Sequence, residues 1–254
     1  MSTDRESFTY YDSHLHLPSP DRDGIAALRR KVESEAGMWG GNLIVLTRDE
    51  AACVSANLAE VPSELTIVPY LAAEGELPPE LTRSGWYKVH PTFMQIAPEA
   101  IAGVVGRARS MGTGLQGLIV HCFPWGPELR FNTGVELVVA LAQALPEAPI
   151  VATHAGGCDA WRLYAHTIEL DNVLYDFSIT MHIYRGTDCV KPLQAYLRQT
   201  PDRVLFGSDW PSAEPAPQLA DYAALAEGIG MSQAHLADIL NRNARRLWGH
   251  GDGG

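Results

Sequence analysis

The sequence predicts an α/β protein built as one (β/α)8 TIM barrel, on three observations. Short β-rich apolar runs recur along its whole length. Most are followed by a stretch of helical spacing long enough to cross back over a parallel sheet. Eight such units in 254 residues match the roughly 250 typical of a closed barrel. An open doubly wound sheet would usually offer a Gly-rich first turn, whereas the first turn here reads Asp-Ser-His-Leu-His-Leu-Pro-Ser-Pro.

The predicted strands span residues 8–12, 42–47, 65–71, 85–90, 115–121, 149–154, 172–178 and 203–208. Helical spacing fills 24–35, 50–60, 133–145, 159–170 and 191–199. Pro98 opens a further helix, where its missing N–H is harmless in a first turn. The third connection, 72–84, carries Gly75, Pro78 and Pro79 and is expected to be a loop. Two helices, 217–228 and 232–248, close the chain, and the glycine-rich 249–254 is expected to fray. No linker or composition shift divides the sequence, so residues 1–254 are expected to form a single domain.

Nineteen Lys and Arg against thirty Asp and Glu give a net charge of -11, a field that opposes nucleic acid. No run approaches the roughly 18 apolar residues of a membrane span, and the first residues are polar. A cytoplasmic enzyme acting on a small molecule is the expectation, with a homodimer left open. Cys53, Cys122, Cys158 and Cys189 form no C-x-x-C pair and are read as reduced, mostly buried thiols.

His14 and His16 stand two apart at the end of the first strand, so both imidazoles project to one side, with Asp12 one step behind. The barrel interior is the cheaper side, because histidines facing the helix layer would bury polar groups against apolar ones. Later strands repeat the theme: Leu118-Ile119-Val120 ends in His121, Ile150-Val151-Ala152-Thr153 in His154, and Leu205-Phe206-Gly207-Ser208 in Asp209. Barrel active sites form at this C-terminal rim. Imidazoles and one carboxylate converging there suit a single divalent transition metal, zinc first, with Mn2+ or Fe2+ as alternatives.

The ordered set Asp12-x-His14-x-His16, Lys88-Val-His90-Pro91, His121, Thr153-His154-Ala-Gly-Gly157, Asn172 to Ser178, Phe206-Gly-Ser-Asp209-Trp210-Pro211 and Asn241 to Leu247 resembles the amidohydrolase superfamily. Within it, the chain is similar to the amidohydrolase-related branch that also holds metal-dependent decarboxylases. The resemblance implies metal ligation by His14, His16, His121 and Asp209. It implies that His154 lies beside the metal water and that Asp209 doubles as proton acceptor or donor. In binuclear members a lysine near Lys88 is carboxylated to bridge two metals; the remaining motifs read as the mononuclear branch.

His90, Trp125, Arg185 and Trp210 are the expected substrate contacts, within walls that also include Phe123, Arg130, His182 and Tyr184. His166, His235 and His250 receive no role. The function expected is metal-dependent hydrolysis through a metal-activated water. The alternatives are non-oxidative decarboxylation of a small unsaturated or aromatic acid, and a catalytically silent metabolite-binding barrel. A phosphoesterase-like barrel of the PHP or TatD groups also opens with H-x-H, but Asp209-Trp210-Pro211 lacks Asp-x-His and no strand-four glutamate is present.

Overall fold

The computed structural model describes residues 9–73 and 75–249. Eight parallel strands run β1 (Tyr10–His16), β2 (Met38–Val45), β3 (Leu65–Pro69), β4 (Trp86–Val89), β5 (Gly117–His121), β6 (Ile150–Thr153), β7 (Val173–Asp176) and β8 (Val204–Leu205). They pair in sequence order as two ladders, β1-β2-β3 and β4 through β8. Two isolated parallel bridges, Tyr70 with Lys88 and Leu15 with Trp210, join the ladders into a closed barrel. The β8–β1 seam is reinforced by Ser13 N donating to Phe206 O (2.9 Å), Asp209 N to His14 O (2.9 Å) and His16 N to Trp210 O (2.7 Å).

One buried side chain from every strand forms the apolar floor: Tyr11, Ile44, Val68, Trp86, Ile119, Val151, Leu174 and Leu205. Trp248 and Ala244 of the last helix belong to the same cluster. Two residues further along several strands, the same inward face carries polar groups instead: Lys88 after Trp86, His121 after Ile119, Thr153 after Val151 and Asp176 after Leu174. The barrel is thus packed below and polar at its mouth, as layered interiors of this kind require.

The first strand departs from strict alternation. Tyr11 and His14 both belong to the interior although their parity differs, and the β1–β2 register shifts between Asp12 and Leu15. Asp12 therefore does not sit one step behind the two histidines on their face. Its Oδ1 accepts from His14 N (3.1 Å) and Ser208 N (2.9 Å), and Asn42 Nδ2 donates to Ser13 O (3.2 Å). These bonds occupy backbone groups that a bulged ladder leaves unpaired. The strand also begins later than expected and runs through His16; Phe8 lies outside the described residues.

The helices are α1 (Arg22–Ser34), α2 (Arg48–Ala56), α3 (Ile101–Ser110), α4 (Gly134–Ala144), α5 (Ala160–Thr167), α6 (Thr180–Ile183), α7 (Lys191–Gln199), α8 (Pro215–Gly228), α9 (Gln233–Ala237) and α10 (Asn243–Trp248). Local chemistry starts several of them. Asp21 accepts from Gly24 N at α1, and Thr47 with Glu50 makes a reciprocal capping box at α2. Among the described residues no helix forms between β3 and β4, as the glycine and prolines of that connection predict. The expected helix 232–248 runs without a break from Gln233 to Trp248, with a π turn, Asp238–Arg242, inserted between α9 and α10. Cysteine burial is also lower than expected, since only Cys122 is buried, although all four thiols are free. Residues 250–254 of the expected tail, with His250, lie outside the described residues.

Between β7 and β8 the ladder ends early. Its last aligned pair is Asp176 with Leu205, and beyond it a tyrosine hydroxyl from α8 takes over. Phe177 N donates to Tyr222 Oη (3.1 Å), and Tyr222 Oη donates to Leu205 O (2.8 Å). One buried oxygen thus satisfies a backbone donor on one strand and a backbone acceptor on the next.

Candidate metal centre

Three donor atoms meet at the mouth where β1 passes β8. His14 Nε2 lies 3.1 Å from His16 Nε2 and 3.4 Å from Asp209 Oδ1, and His16 Nε2 lies 3.3 Å from that same oxygen. A tetrahedral ion holding ligands at about 2.0–2.1 Å separates them by about 3.4 Å, so the triangle has the size that zinc-like coordination needs. His154 joins them: ligand atoms of His14, His154 and Asp209 all lie within 4.8 Å of one another, and all three residues are buried. His121 is next to His154, its Nδ1 3.2 Å from His154 Nε2.

The protonation pattern follows from the partners. His121 Nε2 donates to Phe123 O (3.1 Å), and His154 Nδ1 donates to Ser178 O (3.0 Å), since a carbonyl can only accept. The facing atoms, His121 Nδ1 and His154 Nε2, are then both bare lone pairs. Two buried acceptors 3.2 Å apart repel each other unless a proton or a cation lies with them.

Burial holds these imidazoles neutral. His14 and His121 are pushed well below the ordinary histidine value by desolvation, aided by the neighbouring Lys88 and imidazoles. His154 is pushed down to about 4 by burial, partly offset by the Asp209 charge. Burial works to raise Asp209, but its hydrogen bond with His16 and the fields of the surrounding imidazoles and of Lys88 outweigh it and hold the carboxyl below its usual value. Neutral imidazoles beside an ionised carboxylate are the forms a divalent cation binds, so the residues present fit such an ion.

Backbone strain marks the same rim. His154 (φ 62°), Ala155 (φ 44°), Ile179 (φ 54°) and Asp209 (φ 63°) all occupy the left-handed region without being glycine, just past β6, β7 and β8. Such strain persists where surrounding structure over-determines it, and it turns these groups off the ends of their strands.

Lys88 is fully buried, its Nζ 3.4 Å from His14 Nε2 and 3.2 Å from Thr153 Oγ1, with burial lowering its pKa to about 8. His90 stacks on His121 at 3.8 Å between ring centroids, and burial drives it down to about 2. Phe123 stands edge-on to His154 (5.8 Å) and stacks with Tyr184 (5.9 Å), forming an aromatic wall. The other expected contacts lie elsewhere in the mouth or in packing. Trp125 is 65% exposed, Arg185 is paired with Asp221 (2.7 Å), and Arg130 with Glu99 (3.1 Å). Trp210 packs with Leu15, Leu17, Ile25 and Leu28 against the first helix.

Two residues that the sequence reading passed over stand behind the imidazoles. Asp176 Oδ2 lies 2.9 Å from His14 Nδ1, and Ser178 Oγ lies 3.2 Å from His14 Nδ1 and 3.1 Å from His154 Nδ1. The available signal was parity: Leu174, Asp176 and Ser178 share one face of a buried strand, and polar groups on such a face need inward partners.

Among the described residues no helix is long and apolar enough to cross a membrane. No curated protein matches the chain. Solved structures share its fold at low identity. An uncharacterised TIM-barrel protein from Bordetella bronchiseptica is 16% identical with a TM-score of 0.62, covering 93% of this chain and 98% of that one. A TatD homologue from Escherichia coli is 13% identical (TM-score 0.58; 94% and 97%). A dihydroxybenzoic acid decarboxylase from Polaromonas, with bound manganese and the inhibitor 2-nitroresorcinol, is 15% identical (TM-score 0.58; 95% and 96%). The family model described as Amidohydrolase matches residues 76–250, a span that takes in β4 through β8 with Lys88, His121, His154 and Asp209. With more than half of the sequence matched and the barrel closed around that rim, the chain belongs to the amidohydrolase family.

Proposed function

We propose that this chain is a metal-dependent hydrolase of a small-molecule substrate. The observation that carries the reading is the triangle of His14 Nε2, His16 Nε2 and Asp209 Oδ1, with edges of 3.1–3.4 Å. His14, His16, His121 and Asp209 are the proposed ligands of one divalent ion, zinc first and manganese or iron next. A divalent ion held there supplies Lewis acidity and brings the pKa of water to about 7.

Asp209, kept ionised by its surroundings, takes the proton released as water attacks and returns it to the leaving group. His154 presents the Nε2 lone pair left free by its bond to Ser178 O, and so accepts from the attacking water and orients it. Phe123 and Tyr184 exclude water on one side of that approach.

The same wall favours a second reading, decarboxylation of a small aromatic or unsaturated acid, because a planar ring can lie against stacked rings. Asp209, ionised at rest, would there first take a proton from bound water or an acidic hydroxyl of the substrate and then pass it to the carbon that loses CO2.

Metal analysis of the purified protein, followed by assay of a panel of lactones, amides and aromatic carboxylic acids, tests both readings. Near-stoichiometric transition metal with ring-opened or deacylated product is expected. CO2 release without hydrolysis selects the second reading, and full turnover after exhaustive chelation refutes both.

A further inference from the structure

We infer that the end of β7, Asp176 with Ser178, is a positioning device that sets the tautomers of two histidines from different strands, His14 and His154, and so aims both Nε2 lone pairs at one point. The geometry stands on its own; its consequence for metal binding rests on the function proposed above.

With Asp176 ionised, the proton inventory of the cluster leaves little freedom. Asp176 is fully buried, and its carboxylate receives Ser178 N at Oδ1 (2.6 Å) and Ser178 Oγ at Oδ2 (2.9 Å). With its one proton given to Asp176, the Ser178 hydroxyl can only accept from its remaining neighbours, His14 Nδ1 and His154 Nδ1. His14 Nδ1–H is then shared between Asp176 Oδ2 (2.9 Å) and Ser178 Oγ (3.2 Å). His154 Nδ1–H is shared between Ser178 O (3.0 Å) and Ser178 Oγ (3.1 Å). Both rings carry their proton on Nδ1, so both Nε2 atoms carry lone pairs.

Two features of the backbone serve this arrangement. Ile179, a β-branched residue, is held at φ 54°, where such side chains are strained. That turn directs the Ser178 carbonyl back to His154 and lets Thr180 Oγ1 donate to His154 O (2.6 Å), gripping the same histidine at backbone and ring. Two residues past β8, a Cβ at Gly207 would lie 2.6 Å from Asp176 Oδ1, so only glycine leaves the carboxylate its place.

Asp176→Asn keeps the shape but adds an amide N–H that can donate to His14 Nδ1, which moves the ring proton to Nε2 and blocks that lone pair. Long-range 1H–15N spectra of the histidine rings in the full chain report the tautomers directly. Zn2+ titration against a competing chelator reports the consequence.

The wild type is expected to show Nδ1–H at His14 and His154. The Asp176→Asn variant is expected to shift His14 toward Nε2–H and bind Zn2+ about 10–100-fold more weakly. Ser178→Ala, which removes the shared acceptor, is expected to weaken Zn2+ binding in the same direction and serves if the first variant fails to fold. A wild-type His14 protonated at Nε2, or folded variants of both residues with unchanged tautomers and Zn2+ affinity, would overturn the inference. A wild type that shows the expected tautomers yet binds no Zn2+ refutes the metal-centre function and leaves the positioning role standing.

Discussion

Asp209→Ala is expected to abolish turnover while the barrel stays folded. The side chain is asked to do two things, to complete the triangle with His14 and His16 and to carry the proton of the reaction. Loss of general acid–base catalysis alone costs about 10²–10⁴-fold in rate, and loss of a ligand adds to it. The fold depends on Asp209 through its backbone, whose N–H donates to His14 O (2.9 Å) and whose carbonyl accepts from Ser212 N (2.8 Å). Alanine preserves both bonds. Its own cost is about 1–2 kcal/mol, because residue 209 sits at φ 63°, where alanine is less at ease than aspartate or asparagine. Asp209→Asn tolerates that conformation better and should be equally inactive, which separates chemistry from backbone. Rates near wild type in either variant, measured beside an unchanged circular dichroism spectrum, would remove the aspartate from the mechanism.

Tyr222→Phe should produce the largest stability loss from a single atom. Tyr222 is fully buried, stacked on Phe177 at 5.5 Å, and its ring volume is unchanged by the substitution. Only the oxygen disappears, and with it the partner of Phe177 N and of Leu205 O. Each buried backbone group left without a partner costs about 1–3 kcal/mol, so the pair should cost about 3 kcal/mol. For a chain of this size that lowers Tm by roughly 6–12 °C. Thermal unfolding checks it, and a drop below about 1 °C would mean that β7 and β8 close the gap directly. The variant should also loosen Asp176, which directly precedes Phe177.

The barrel and most of its rim were legible because each strand is an apolar run with a chemical full stop. His121, His154 and Asp209 interrupt sequences that would otherwise continue as core, and a residue of that kind at a strand end has one place to go. The bulge in β1 was not legible, because the groups that support it come from other strands: Asn42 Nδ2 donates to Ser13 O, and Ser208 N donates to the Asp12 carboxylate. Strict alternation therefore placed Asp12 with the histidines when it serves the backbone instead. Asp176 escaped notice for a related reason: its importance lies in what approaches it from 162 positions away in the chain, His14. The loop side chains were least readable of all. Trp210 follows Asp209 directly, yet packs outward with Leu15, because the turn after β8 sends neighbouring side chains to opposite layers.

The closure of the barrel has a mechanical consequence. Its wall consists of two arcs, one of three staves and one of five, which meet at the β3–β4 and β8–β1 seams. His14 and His16 ride on the smaller arc, whereas His121, His154 and Asp209 ride on the larger. A cation shared among them would rivet the β8–β1 seam, so that prying the arcs apart there requires its release. Occupancy at one hundred times the dissociation constant would then add about 2.7 kcal/mol against such opening, felt first in slowed amide exchange along β1.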